Sequence, residues 1–270
     1  MKKFGILFLC MFLCWSGGVR SQVNSPDVIL VGDQVDTSTQ MIWASAGLSW
    51  QFPFGTLRNT FKMNAQVHAN LTYKTASNWT FDLGFAYMFG AKVRDQAAVL
   101  GSDMLIPTSS GYLLIDGNGG EATIYFEGRY WSTGLGIGKI IPLDKWKNSG
   151  LWLKLSGSYF SHKVNIRVGG SNEKDIVPQL AGDYRKGYDQ RAGGFCFSQF
   201  VGYVFMRKVR VRSFYAGVEI SEIWSKSNRN YQFLLMGPDT SKKFSVLVGI
   251  KAGWIIPLFE KRKIQTLYMY

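Results

Sequence analysis

The stretch Phe61-Lys62-Met63-Asn64-Ala65-Gln66-Val67-His68-Ala69-Asn70-Leu71-Thr72-Tyr73 alternates without a break, apolar on one parity and polar on the other. A period of two sends successive side chains to opposite faces of a strand. A strand that crosses a bilayer needs about 9–11 tilted residues, apolar toward lipid and aromatic where it meets each interface. Phe61 and Tyr73 are expected to supply those ends, with Lys62 and His68 on the inner face.

The pattern recurs. Trp79, Phe81, Leu83, Phe85, Tyr87 and Phe89 alternate with Thr80, Asp82, Gly84 and Ala86. Near the end of the chain Phe244, Val246, Val248, Ile250, Ala252, Trp254 and Ile256 oppose Ser245, Gly249, Lys251 and Gly253. Weaker copies give strands at about 41–50, 122–141, from Leu151 and from Phe214. In the last two, Lys154 and His162, and then Glu219, share the inner phase. Residues 194–206 form a further strand of open phase, because Phe195, Phe197, Phe200, Val201, Tyr203 and Val204 occupy both parities.

The expected fold is therefore all-β: an eight-stranded antiparallel transmembrane β-barrel, residues 41–259, with short periplasmic turns and three long outer loops. Connection lengths support it independently. The second, fourth and sixth are short, and the third, fifth and seventh are long, as outer-membrane barrels arrange them.

Ahead of the strands, Lys2-Lys3, an apolar run from Phe4 to Trp15 and the break Ser16-Gly17-Gly18 have the parts of a secretory signal peptide over 1–21. Residues 22–40 would then be a periplasmic N-terminal segment. Cys10 and Cys14 fall inside the signal, which leaves Cys196 alone and excludes a disulfide framework or a cysteine metal site. Losing Lys2, Lys3 and Arg20 lowers the formal charge from +13 to +10. For a secreted strand protein that excess points to anionic lipid or acidic envelope proteins rather than nucleic acid.

Chemistry is scarce. An eight-stranded barrel is just wide enough for side chains to fill it, so no small-molecule substrate is expected inside. The lumen candidates are Lys62, His68, Asp82, Lys154, His162, Glu219 and Lys251. Buried charges must be paired, and Glu219 and Lys251 lie nearly symmetrically about the seventh connection. A lipid-modifying enzyme would need His and Ser in contact, but Ser161 should point away from its neighbour His162. No catalytic residue, metal site or cofactor is expected. Asp116-Gly117-Asn118-Gly119-Gly120-Glu121 reads as a glycine turn.

Two surfaces suit partners. The periplasmic rim gathers Lys74, Lys145, Lys147, Arg207, Lys208, Arg210, Arg212, Lys261, Arg262 and Lys263, and ends in a tail, 260–270, with Tyr268 and Tyr270. Phospholipid headgroups and an acidic partner would both satisfy that rim. The fifth connection, Val177 to Asp189, carries Tyr184, Arg185 and Tyr188, residue types enriched at interfaces. It could equally fold over the barrel mouth as a plug.

Three segments resemble a family of small outer-membrane β-barrel proteins of Bacteroidota. They are Ser110-Gly111 through Glu121-Ala122-Thr123 into Phe126-Glu127-Gly128-Arg129-Tyr130; Val177 to Asp189; and Gly249 to Pro257 with the tyrosine-ended tail. Lys251 to Leu258 also resembles the assembly signal in the last strand of outer-membrane barrels. The resemblance implies residence in the outer membrane and work within envelope machinery such as type IX secretion or barrel assembly. The expected function is a non-catalytic barrel subunit of such an assembly. A free-standing adhesin or envelope-stabilising barrel and a lipid-modifying enzyme are the alternatives.

Overall fold

Eight long strands close on themselves. In chain order they are β1 (Gln40–Gly55), β2 (Asn64–Lys74), β3 (Trp79–Lys92), β4 (Ile124–Pro142), β5 (Gly150–Val168), β6 (Ala192–Phe205), β7 (Ser213–Ser227) and β8 (Lys242–Lys261). Each pairs antiparallel with its sequence neighbours, and β1 pairs with β8 to complete the ring. The computed structural model describes residues 38–101, 104–109, 111–143, 148–169, 177–206 and 213–261. The signal-peptide expectation and residues 22–37 of the N-terminal segment lie outside them, as do Lys145, Lys147, Arg207, Lys208, Arg210, Arg212 and the tail from Arg262.

Alternation decides which way each strand faces. Leu71 (47% exposed), Leu83 (55%), Leu135 (67%) and Ile250 (59%) stand outward, while Thr72, Asp82, Glu219 and Lys251 are buried inside. An apolar exterior around a polar interior is the inverse of a soluble protein, and it fits a barrel whose solvent is lipid. Outward aromatics form two levels: Trp131, Tyr159, Phe195, Trp224 and Phe244 at the outer end, and Trp79, Tyr203, Phe214 and Trp254 at the inner end. Ten residues separate Phe244 from Trp254. At about 3.3 Å each and a tilt of about 40° they rise roughly 25 Å, the height of a barrel's apolar band.

Strand β6 takes a definite phase here. Cys196, Phe200 and Val204 are buried inside, whereas Phe195 and Tyr203 face out. Alternation alone could not choose, because both phases are apolar: one fills the lumen ends and the other meets lipid.

One expectation fails at the start of β2. A single helical turn, α1 (Thr56–Thr60), follows β1, and the Phe61 N–H donates to the Leu57 carbonyl at 2.9 Å. The turn carries the chain over the barrel mouth, so Phe61 points inward at 1% exposure and meets Tyr130 edge-on at 4.9 Å. Lys62 is consequently exposed at the outer rim, not a lumen charge, and β2 begins only at Asn64.

Candidate functional site

The lumen is a polar chamber closed at both ends. At the inner end the buried residues Met41, Trp43, Ile140, Trp152, Phe200, Val204, Tyr215 and Ile255 form one apolar cluster. Its rings lock edge to face: Trp152 lies 5.4 Å from Tyr215, 5.6 Å from Phe200 and 6.2 Å from Trp43. Edge-to-face rings at such separations attract each other beyond the area they bury. The Trp152 indole N–H donates to Thr80 Oγ1 at 3.0 Å, which ties the cluster to the polar layer above.

A larger cluster closes the outer end, and much of it comes from connections. Leu57 and Phe61 enter from the first; Val99, Leu100, Leu105 and Leu114 from the third; Val177 and Leu180 from the fifth. They pack on inward residues of the strand ends, including Met88, Tyr130, Phe160, Ile166, Ile223 and Leu247.

Between the clusters lie two ion pairs. Lys251 Nζ donates to Glu219 Oε2 at 2.7 Å, and Lys154 Nζ stands 3.9 Å from Asp82 Oδ2. Strands β7 and β8 are neighbours in register, with Lys251 opposite Gly217, so Glu219 lies one diagonal step away. Thr72 Oγ1 donates to Asp82 Oδ1 at 2.5 Å, and His68 Nε2 lies 2.7 Å from the Tyr215 hydroxyl. Two cations thus balance two carboxylates, the condition for holding charge in a low dielectric. A cavity of about 70 Å³ remains among Gln66, His68, Asp82, Lys154, Glu219 and Lys251. His68 Nδ1 and Asp82 Oδ2, on two of its lining residues, are buried without a hydrogen-bond partner.

The two histidines do not share a site. His162 sits higher, in the outer cluster, ringed by Phe61, Tyr130 and Phe160 at about 6 Å. A cavity of about 30 Å³ near it is lined by Ser225, Lys243 and Ser245. Among the described residues no serine hydroxyl is hydrogen-bonded to the His162 imidazole, and Ser245 Oγ instead accepts the Leu57 N–H at 3.1 Å. Ser161 is buried at the β5 edge between Trp131 and Gly193, its partners on β4 and β6. A nucleophile–base pair is a geometric requirement before it is a chemical one. No group of three or more His, Cys, Asp or Glu able to hold a metal occurs among the described residues. The Asp116 turn is accounted for locally, since its Oδ1 accepts the N–H groups of Asn118 and Gly120 at 2.9 and 2.7 Å.

The fifth connection divides its residues between plug and surface. Two 3₁₀ turns, Pro178–Leu180 and Tyr184–Gly187, seat Leu180 at 0% exposure and leave Tyr184 at 67%. Arg185 Nη1 donates to the Ile166 carbonyl at 3.2 Å, so this side chain fastens the loop to β5. Tyr188 packs against Phe233 of the seventh connection, rings tilted and 4.8 Å apart. Gly187 makes room: a Cβ there would meet the Phe233 ring at 2.2 Å. Asp189 pairs with Arg229, whose guanidinium is raised above its ordinary range by that hydrogen bond. The seventh connection ends in an apolar tip that sequence reading missed, with Leu235 57% and Met236 75% exposed and Met236 at φ 48°. Leu-Leu-Met in a long loop has no period to betray it; only the backbone shows that it is displayed.

Lys74, expected on the periplasmic rim, is at that end but buried. Its Nζ donates to Ser38 Oγ, the Thr39 carbonyl and Asn148 Oδ1 at 2.8, 3.0 and 2.9 Å. Those bonds tie the start of β1 to the β4–β5 connection.

No known family profile matches the chain, and no curated protein matches it. Solved structures do. The chain is similar to the outer membrane protein OprG from Pseudomonas aeruginosa (12% identity, TM-score 0.43, covering 83% of this chain and 99% of that one). It is also similar to Neisserial surface protein A (11%, 0.42, 80% and 96%) and to Ail, the attachment invasion locus protein of Yersinia pestis (10%, 0.38, 80% and 99%). The assignment itself rests on the closed antiparallel ring and its apolar belt: the chain is an eight-stranded transmembrane β-barrel of the outer-membrane type.

Proposed function

We propose that this chain is a non-catalytic barrel subunit of an outer-membrane assembly, engaged through its outer cap. The observation that carries this reading is the double closure. A chamber sealed by an aromatic cluster below and a loop-fed cluster above has no route for a substrate, so the protein acts by what it displays. What it displays beyond the membrane is a rigid cap. Tyr188 on Phe233, and Asp189 on Arg229, join the fifth connection to the seventh, and Tyr184, Leu235 and Met236 stand out of it. Exposed aromatic and methionine side chains on a braced surface are what protein interfaces draw on. Secretion or barrel insertion, implied by the family resemblance, is the business we assign to the assembly.

A free-standing adhesin is the second reading, favoured by the placement of that apolar tip on the outer side. Affinity capture of the full chain from its own envelope in mild detergent separates the two. The subunit reading expects a stoichiometric envelope partner, released when Tyr184, Leu235 and Met236 are replaced together by Asp. A chain that migrates alone from its own envelope, yet binds foreign cells through the same three residues, is an adhesin.

A further inference from the structure

Just beyond the outer aromatic level, the lipid-facing phase of the barrel turns cationic. Arg129 follows Trp131 outward on β4, Lys226 follows Trp224 on β7, and Lys242 precedes Phe244 on β8. Lys163 on β5 is directly opposite Arg129, and Lys226 is directly opposite Lys242. Two residues of tilted strand lift these groups about 5 Å above the aromatic level, into the headgroup layer. Arg191, exposed at the head of β6, continues the row between Lys163 and Lys226; its carbonyl accepts the Asn228 N–H at 3.0 Å.

Like charges directly opposite one another destabilise a sheet. Here two such pairs occur at one level on four of five consecutive strands. Glu127 stands 3.8 Å from Arg129 and also pairs with Arg167, which accounts for one cation of the row. Among the described residues no ion pair reaches Lys163, Arg191, Lys226 or Lys242. The nearest outward carboxylate on β7, Glu222, lies two residues below Trp224, on the far side of the aromatic level. The centre of the row has a floor of polar atoms. A Cβ at Gly193 would meet the Tyr159 hydroxyl at 2.3 Å and Asn228 Nδ2 at 2.8 Å, so the bare glycine lets both groups lie across β6. Asn228 Nδ2 donates to that hydroxyl at 3.3 Å.

We propose that this outward row, Arg129, Lys163, Arg191, Lys226 and Lys242, binds the phosphorylated headgroup of an outer-leaflet lipid. A phosphate brings acceptor oxygens and the negative charge that the opposed cations lack. Its height matches the headgroup of a lipid whose chains lie against Trp131, Phe195 and Trp224. A soluble anion would have no reason to prefer the lipid-facing phase.

The test uses the full chain in zwitterionic detergent, with native mass spectrometry to count retained lipid. The probes are lipid A with both phosphates, the same lipid after phosphatase treatment, and a soluble sulfated oligosaccharide. The phosphorylated lipid should be retained and the dephosphorylated one lost. Each lysine near an anionic surface is worth about fivefold, so Lys226→Gln with Lys242→Gln should weaken retention about 25-fold. Lys186→Gln in the cap should leave it unchanged. A second readout has the opposite sign: without lipid the paired variant should melt at or above the wild type, because repulsion is relieved. Added phosphorylated lipid should then raise the melting point of the wild type alone. Equal retention of both lipids, retention undiminished by the paired variant, or binding of the sulfated oligosaccharide alone would each overturn the proposal.

Discussion

At the scale of single residues, the chamber's charges test how this barrel tolerates them. Lys251 and Glu219 are both buried and meet at 2.7 Å. Lys251→Met leaves a buried carboxylate without its partner, which costs about 3–5 kcal/mol. Replacing both, Lys251→Met with Glu219→Leu, should recover most of that loss. Thermal unfolding in detergent checks it, and a double variant no more stable than the single one would show that the pair is not the source. A second prediction concerns pH in the seventh connection. Burial alone would raise the Asp239 carboxyl, but hydrogen bonds from Lys243 and Ser241 outweigh it and hold it below the usual carboxylate range. A carboxylate depressed in the folded state stabilises at neutral pH, and that stabilisation is lost as pH falls through its folded value. Amide protection in residues 237–243, measured relative to the intrinsic exchange rate at each pH, should therefore fall below about pH 4, the ordinary carboxylate range. Asp239→Asn should show that lower protection already at pH 7 and change it little with acid.

At the scale of elements, β6 and β7 approach so closely that glycine is required on both. A Cβ at Gly202 would meet the Ala216 carbonyl at 2.4 Å, and one at Gly217 would meet the Gly202 Cα at 2.4 Å. The Phe200 ring lies over both positions. Gly217→Ala should destabilise by about 1–3 kcal/mol through overpacking, seen as a lower temperature for the shift between folded and unfolded bands in gel electrophoresis. An unchanged temperature would mean that Phe200 has room to move. These strands also mark how far the sequence could be read. Strands β2, β3 and β8 were legible because one parity is apolar and the other polar. The phase of β6 was not, because lipid and plug both demand apolar residues and erase the alternation. Phe61 misled for a related reason. It continues the parity of Val67 and Leu71, yet the α1 turn rotates it inward, and a two-residue period has no sense of such a turn. The ion pair was within reach, since Glu219 and Lys251 share inward phases on adjoining strands. The cationic row was hidden among loop charges of mixed sign until register aligned Arg129 with Lys163 and Lys226 with Lys242.

At the scale of the whole molecule, the two clusters make a claim about conduction. A bare eight-stranded barrel is nearly filled by its side chains, but polar fillings pass water and small ions more readily than apolar ones. Here the ion-paired filling lies in the middle, and an apolar cluster packs at each end. Closure is also unequal: the inner cluster centres on Trp152, which touches Trp43, Phe200 and Tyr215, whereas the outer one draws on three connections and six of the strands. The inner seal should therefore yield to side-chain truncation and the outer one should not. In planar bilayers the wild type should show no unitary currents. Trp43→Ala with Trp152→Ala should remain silent, although it loses stability, because the outer cluster still blocks the path. Replacing residues 97–121 and 177–189 with short glycine-serine links removes Val99, Leu100, Leu105, Leu114, Val177 and Leu180 from the mouth. Combined with the two tryptophan changes, that should open a small conductance whose size depends on Lys154 and Lys251. Currents from the wild type, or from the tryptophan variant alone, would mean that the outer cluster is a gate rather than a plug. The protein would then be a channel, and the reading that it acts by display would have to be given up.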